Sequence, residues 1–294
     1  MESKKLNIDT PHLIKLNSFS KELAKLAGDI LNENFGKKIS IKYKNTNDPV
    51  SSVDIEIQDK LIQKIKNEFP EHRVLGEEKT KKQTDSYSDF MWVIDPLDGT
   101  KNFINGLPLF ASSIGILYKG IPVAGAIFIP WPNNDQGIVL HAFKNSGIFI
   151  NNVSINKSII KHDPLIALPG NFSSNVDLGN IRVTGSIAYE IAMVCLGVFD
   201  YAVFFAPKLW DVAAGYLLAY ESNKKVFRIT KNSGLNKIFF PEKIEPDPKL
   251  ISGWHKNIES NKLEKWSMKI ILGSEENIHP IKNYIYNSRF RIFK

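Results

Sequence analysis

A layered α/β fold is what this chain predicts, and three features of its apolar pattern carry the prediction. Two segments of helical period occupy residues 12–68. Short apolar runs broken by Gly, Pro and Asn fill the middle from 90 to 150. Helix-like and strand-like runs then alternate. A mixture of this kind buries its apolar surface by laying helices on sheets, which favours layers over an all-β barrel. At 294 residues the chain has room for one large domain or two closely packed halves.

From His12 to Phe35 the residues Leu13, Leu16, Phe19, Leu23, Leu26, Ile30 and Leu31 recur at spacings of three and four, and Gly36 follows as a stop. That pattern predicts an amphipathic helix. A second is expected from about Val53 to Glu68, with Ile57, Leu61 and Ile65 on one face, Asp54 and Glu56 in its first turn, and Pro70 beyond its end. Runs at 90–94, 112–118, 121–129, 137–143 and 147–150 read as successive strands, several of them antiparallel neighbours. Further on, helices are expected at 186–197 and 211–221, and strands near 165–168, 201–205, 225–228 and 248–252. From about Ile271 no period is readable. There is no internal repeat and no Pro- or Ser-rich linker, so two halves, 1–160 and 161–294, would meet near 150–165.

Composition narrows the function classes. Hydrophobic residues at 43% and charged residues at 23% are those of a globular protein, not of a disordered or fibrous chain. A formal charge of +7 could serve nucleic acid, membrane surface or an anionic substrate. The lysines are scattered, and the densest cluster, Lys79 to Lys82, is short, so they read as solvated side chains and not as a polyanion surface. The lone Cys195 lies in the apolar run IAMVCLGVF and reads as a small buried hydrophobe. The N-terminal segment has no signal-like apolar core and no stretch is long enough to span a bilayer, so a cytoplasmic protein without membrane contact is expected.

The chemistry concentrates in MWVIDPLDGTKNF, residues 91–103. An apolar run delivers the chain to Asp95, Pro96 fixes a turn, and Asp98 follows, so two carboxylates can face one centre beyond a strand end. Gly99 and Thr100 come where a helix can begin, and unsatisfied N–H groups there suit a phosphate oxygen. Taken alone, both aspartates are equally well turn and N-cap residues. Two more acidic places bear on the choice. Glu77 and Glu78 follow Val74-Leu75-Gly76 at a second strand end, and Asp211 after Trp210 falls on the first turn of a helix, where it could equally stabilise the helix dipole. Six histidines are present without an HxH or HxxxH pair, and His72, beside a proposed strand, is expected at the surface.

GEE at 76–78, DPLDGTKNF at 95–103 and WDVAAG at 210–215, preceded by Asp48-Pro49-Val50 and Asp54, together resemble the signature set of the inositol monophosphatase superfamily. The resemblance covers residues 12–225 and fades beyond. It implies an αβαβα sandwich and a Mg²⁺-dependent phosphoric monoester hydrolase holding two or three ions. By the same resemblance the metal ligands would be Glu77, Asp95, Asp98, Asp211 and the carbonyl of Leu97. Oxygen-only ligation is what hard Mg²⁺ prefers. Glu77 and Thr100 would orient the attacking water, with Asp54 accepting a hydrogen bond from Thr100 and helping to take the proton. Asp98, Gly99, Thr100, Gly185, Ser186 and Asp211 would line the substrate. Lithium sensitivity and a homodimer are implied as well.

Substrate choice is less well specified. The family commonly has an acidic residue seven positions before the aspartate of WD, where this chain has Phe204. A phenyl ring accepts no such hydrogen bond, so it is expected to pack in the core or to stack on a base. Classical inositol 1-phosphate specificity is put in question. Inositol phosphates, sugar phosphates, 3′-phosphoadenosine nucleotides and fructose 1,6-bisphosphate stay open as substrates. A polyanion-binding protein that keeps the fold is the competing class. After the helix that begins near Asp211, the family's usual Gly-Gly pair is replaced by ESNKKVFRITKNSG, so a different loop is expected there.

Overall fold

The structure is a computed structural model that describes residues 8–46, 48–79, 88–132, 134–155, 163–170, 178–231, 242–246, 250–256, 258–279 and 281. The first expected helix is α1, Thr10–Asn34, opened by Asp9, whose carboxylate accepts the His12 N–H at 2.9 Å. A small antiparallel hairpin follows, β1 (Ile41–Asn45) with β2 (Asp48–Ser51). It leads directly into α2, Ser52–Glu68, whose N-terminus is closed by reciprocal bonds between Ser51 and Asp54.

The middle of the chain forms a seven-stranded sheet in sequential order. It runs β3 (Arg73–Gly76), β4 (Phe90–Asp98), β5 (Ala111–Tyr118), β6 (Ile121–Trp131), β7 (Asn134–Phe143), β8 (Ile148–Ile150) and β9 (Val153–Ile155). Only β3 and β4 are parallel; the remaining pairs are antiparallel. A short helix, α3 (Thr100–Ile104), leaves the end of β4. Alternation along β4 sorts the two faces: Trp92 and Ile94 pack with α1 and α2, while Met91 and Val93 pack with the helices of the opposite layer.

Those opposite helices are α4, Ile187–Leu196, and α5, Leu209–Glu221. Both are apolar nearly all round because a second sheet covers their other side. Its order is β11 (Asn180–Arg182), β10 (Leu165–Ala167), β12 (Tyr201–Phe204), β15 (Lys269–Gly273), β13 (Lys225–Lys231), β14 (Glu242–Pro246). Ala202, Phe204, Val226, Ile270 and Leu272 join the core with α4 and α5. On the outer face Ile166, Val203 and Ile271 pack with Ile278 and Ile281. Helix layer, sheet, helix layer and second sheet thus stack in turn, a layered α/β fold. A last short helix, α6, spans Ser260–Glu264.

The sheet and α5 meet through a glycine notch. Gly115 on β5 and Gly125 on β6 are register partners, and both face the start of α5. A Cβ at Gly115 would stand 2.6 Å from the Ala213 Cβ and 2.7 Å from the Ala214 nitrogen. Two adjacent missing side chains therefore let the helix backbone settle onto the strands.

Three expectations need correction. His72 is buried, 8% exposed, and stacked between Phe69 and Phe90, with Trp92 Nε1 donating to its Nδ1 at 3.1 Å. The aromatic slot offers an imidazole more contact than water does. The strand expected near 248–252 is not formed at 250–252, and residues 248 and 249 lie outside the described ones. Leu250 and Ile251 instead pack against the core from a bend, with Ile251 N–H bonded to the Gly120 carbonyl. The end without a readable period, from about Ile271, holds the latter part of β15, central to the second sheet. Where the family's Gly-Gly pair was missed, Asn223 takes the left-handed turn at φ 59° and carries the chain from α5 to β13. Residues 232–234 of that replaced segment lie outside the described ones.

Candidate active site

Four carboxylates reach one region from three places in the chain. Glu77 follows β3, and its N–H donates to the Ile94 carbonyl at 3.1 Å, which keeps it alongside β4. Asp95 and Asp98 sit at the far end of β4. Three positions apart, they would point to opposite faces of a regular strand. The pairing with β5 slips between them, Asp95 opposite Ser113 but Asp98 opposite Ala111. This bulge breaks the alternation, so both can serve the same side. Asp211 lies in the first turn of α5, behind the glycine notch, with its Oδ2 accepting the Lys208 N–H at 2.7 Å.

The charges act on one another. Burial raises the Asp95 pKa well above the usual carboxylate range, and the charges of Glu77, Asp98 and Asp211 push it further. Burial likewise raises Asp211, with Asp98 adding to it, and raises Asp98, although the Ala188 N–H and the Ser186 hydroxyl oppose the shift. This is a buried negative cluster that calls for positive charge.

Each carboxylate is meanwhile held by protein groups. Lys44 on β1 bonds to Glu77 Oε1 at 2.8 Å and to Glu78 Oε1 at 2.6 Å. Burial alone would lower the Lys44 pKa, but the two glutamates outweigh it and the ammonium is firmly charged. Ser186 Oγ donates to Asp98 Oδ2 at 2.9 Å, and the Ala188 N–H donates to the same oxygen. Among the described residues no three His, Cys, Asp or Glu side chains stand close enough to hold one ion together as they are placed. The cluster shares a field without forming a cage. Its donors fit a hard divalent cation all the same, being oxygen alone, with Cys195 buried elsewhere in α4.

Beside the cluster, Thr100 Oγ1 lies 3.0 Å from Asp54 Oδ1 and 3.0 Å from the Leu97 carbonyl oxygen, and its one hydrogen is shared between them. The other oxygen of Asp54 accepts the Ser51 N–H at 2.9 Å and the Ser51 hydroxyl, so the cap of α2 orients this carboxylate. Gly99 has φ 92°, and a Cβ there would stand 3.0 Å from both the Leu109 carbonyl oxygen and the Ser186 Cβ. Gly185, at φ 82°, lies against the Asn102 side chain. Glu77, Asp95, Leu97, Asp98, Gly99, Thr100, Asp54, Ser186 and Asp211 are thus brought to one neighbourhood. Phe204 is not at its surface. It is 4% exposed and packed in the core between α4, α5 and the second sheet.

Several supporting residues escaped the sequence reading. Lys44 stands in an exposed strand and carries no motif. Gln58, one helical turn after Asp54, clamps the glutamate loop, its Oε1 accepting the Glu78 N–H at 2.9 Å and its amide donating to the Glu78 carbonyl. A Cβ at Gly76 would fall 2.2 Å from Gln58 Oε1, which is why a glycine precedes the two glutamates. The i, i+4 relation of Gln58 to Asp54, next to the apolar face, was the available signal. Asn102, Thr184 and Glu190 likewise tie α3 to the start of α4.

Comparison with known proteins bears on this arrangement. The model of the inositol monophosphatase family matches residues 12–266. The fructose-1,6-bisphosphatase/inositol-1-monophosphatase of Aquifex aeolicus is 33% identical over 223 residues, 68% of this chain and 82% of that one. Among solved structures, the extragenic suppressor protein suhB of Bartonella henselae has a TM-score of 0.69 at 24% identity, covering 92% of this chain and 98% of its own. An IMPase/NADP phosphatase complexed with Mg²⁺ and phosphate has a TM-score of 0.68 at 19% identity, covering 95% and 97%. At these identities the two structures speak to the fold.

Proposed function

This chain belongs to the inositol monophosphatase family, a family of phosphatases, and we propose that it is a Mg²⁺-dependent hydrolase of small phosphate monoesters of the inositol-phosphate or sugar-phosphate kind. The observation that carries the reading is the cluster of Glu77, Asp95, Asp98 and Asp211, in which burial, and after it the charges of the other three, raise the Asp95 pKa. Magnesium, two or three ions of it, would be held by these four and the Leu97 carbonyl. When bound it supplies charge neutralisation at the phosphoryl oxygens and lowers the pKa of water. Support for magnesium comes from the donor set and from the related phosphatase solved with Mg²⁺ and phosphate.

The chain's own groups supply the proton path. With its hydrogen directed at Asp54 Oδ1, Thr100 Oγ1 turns its lone pairs outward and can accept a hydrogen from the attacking water. That proton passes through the hydroxyl to Asp54 as the water oxygen bonds to phosphorus; the ester P–O bond breaks, and the alkoxide leaves with its electron pair and takes a proton from solvent. Burial raises the Asp54 pKa, against the lowering effect of Ser51 and Thr100, so the carboxylate is a better proton acceptor than an exposed aspartate. Glu77 would join in orienting the water once released from Lys44. Gly99, Gly185 and Ser186 line the approach, where the substrate's phosphate and first hydroxyls would lie.

With Phe204 in the core, no acid stands at that position to select a polyol, which favours a phosphatase of several small esters. We further place the protein in the cytoplasm as a homodimer, its halves divided near residue 160. Among the described residues no helix is long and apolar enough to cross a membrane. The test is a phosphate-release panel with Mg²⁺ over inositol phosphates, sugar phosphates, fructose 1,6-bisphosphate and 3′-phosphoadenosine nucleotides, run beside Asp95→Asn. Release by the native chain and none by the variant is expected. Equal release by both would remove the carboxylate cluster from the mechanism.

A further inference from the structure

A buried acid stands outside the carboxylate cluster and takes no part in the chemistry proposed above. Glu190, in the first turn of α4, is 6% exposed. Its Oε1 accepts two hydrogen bonds from one residue, the Thr184 N–H at 3.0 Å and the Thr184 hydroxyl at 2.8 Å. Thr184 is in turn gripped from the other side, where Asn102 Nδ2 on α3 donates to its carbonyl at 2.7 Å and to the Leu109 carbonyl at 2.6 Å. Its hydroxyl oxygen also lies 3.3 Å from the Ser186 N–H.

The next residues are the ones that hold Asp98. Gly185, at φ 82°, turns the chain, Ser186 caps α4 and donates to Asp98 Oδ2, and the Ala188 N–H donates to the same oxygen. Both bonds fall on Oδ2, which fixes the direction in which Oδ1 points. The position of Ser186 and Ala188 depends on where the loop enters the helix. That entry is set by the contacts of Thr184 with Glu190 and Asn102.

We propose that Glu190 is a positioning residue for the reaction: through Thr184 it fixes the loop 184–186, and so aims the Asp98 carboxylate for a divalent cation. The proposal rests on the hydrolase reading only in its last step. The strut itself is a statement about the protein alone. Glutamine at 190 keeps an oxygen able to accept both Thr184 bonds, whereas alanine removes it, so the two substitutions separate geometry from charge.

The experiment compares the native chain with Glu190→Ala, Glu190→Gln and Thr184→Val. It uses amide hydrogen exchange at Ser186 and Ala188, calorimetric Mg²⁺ titration and steady-state phosphate release. Outer partners of metal ligands are worth about 10–100-fold in affinity or activity. Glu190→Ala is therefore expected to speed Ala188 exchange and to raise the half-saturating Mg²⁺ concentration by about tenfold. Glu190→Gln should stay within about twofold of native, and Thr184→Val should fall between, because it keeps the N–H arm. Native exchange at Ala188 in Glu190→Ala would overturn the strut. So would a Glu190→Gln as impaired as Glu190→Ala, since charge would then be the operative property. If the native chain neither binds Mg²⁺ nor releases phosphate, the hydrolase reading fails while the exchange measurement still decides the strut.

Discussion

Replacing Gly115 with alanine should remove activity from a protein that still folds, because the glycine notch sets the depth at which α5 rests. The added methyl would lie 2.6 Å from the Ala213 Cβ and 2.7 Å from the Ala213 carbonyl carbon and the Ala214 nitrogen. Carbon atoms in contact prefer about 3.5–4.0 Å, so the shortfall is about 1 Å. Two of the three obstructing atoms are backbone, and no rotamer change relieves them. The helix must retreat, at an overpacking cost of about 1–3 kcal/mol. Asp211 lies two residues before Ala213 and moves with it. A displacement of about 1 Å at a reacting centre is worth about 10²-fold in rate. The assay pairs initial rates of phosphate release, on the best substrate of the magnesium panel, with urea unfolding. Gly170→Ala, whose new methyl would meet nothing closer than 3.6 Å, is the control. Adding Ala213→Gly to Gly115→Ala should restore activity only in part, since the backbone contacts remain. Native kcat together with a native unfolding midpoint in Gly115→Ala would refute the reasoning.

Other expectations follow from individual contacts. Asp95→Asn should melt higher than the native protein when both are free of divalent cations, because a repelled buried carboxylate is removed; calorimetry with and without Mg²⁺ checks this, and a lower melting temperature contradicts it. Lys44→Met should release Glu77 from its 2.8 Å ion pair and leave Glu78 buried without its cation, so folding weakens while Mg²⁺ uptake becomes faster than in the native chain; stopped-flow titration and urea unfolding read the two effects. His72 has its pKa lowered by burial to about 4, against 6.5 for the free side chain. The unfolded chain therefore binds the proton more readily, and the stability that neutral His72 contributes is complete above pH 6.5 and is lost as pH falls toward 4. The ceiling is about 3 kcal/mol, reduced by solvent screening. Unfolding of His72→Phe between pH 7 and 4 should show a shallower decline, and an identical slope would exclude the histidine as its source.

How much of this was legible depended on whether one residue type or a meeting of distant ones carried the information. The strands from Phe90 to Ile150 were readable because Gly, Pro and Asn punctuate each apolar run, and α1 and α2 because their buried faces keep a helical period. The aspartates were readable from DPLD and WD, though not the bulge that lets Asp95 and Asp98 serve one side, since register belongs to a pair of strands. His72 was misread because the slot closes only when Phe90 of β4 comes to lie on the ring opposite Phe69, three residues upstream, and that second neighbour is distant in sequence. β15 is only KIILG, too short to show alternation, and is recognised by its partners β12 and β13. Lys44 and Glu190 have no motif at all; only folding gives them their carboxylate and threonine.

Phe204 ties the residue at its position to the stability of the core. Its ring fills core between α4 and the second sheet, so the position belongs to the interior and not to the rim of a pocket. Placing an acid there would bury a charge without a partner, a penalty of several kcal/mol that a chain of ordinary stability can ill absorb. An acid at this position would need the neighbouring packing to change first, and each such change is unfavourable while phenylalanine is present. The residue at this position is thus guarded by stability. New preferences are more readily acquired in the loops before α4 and α5, where substitutions need not pass through the core.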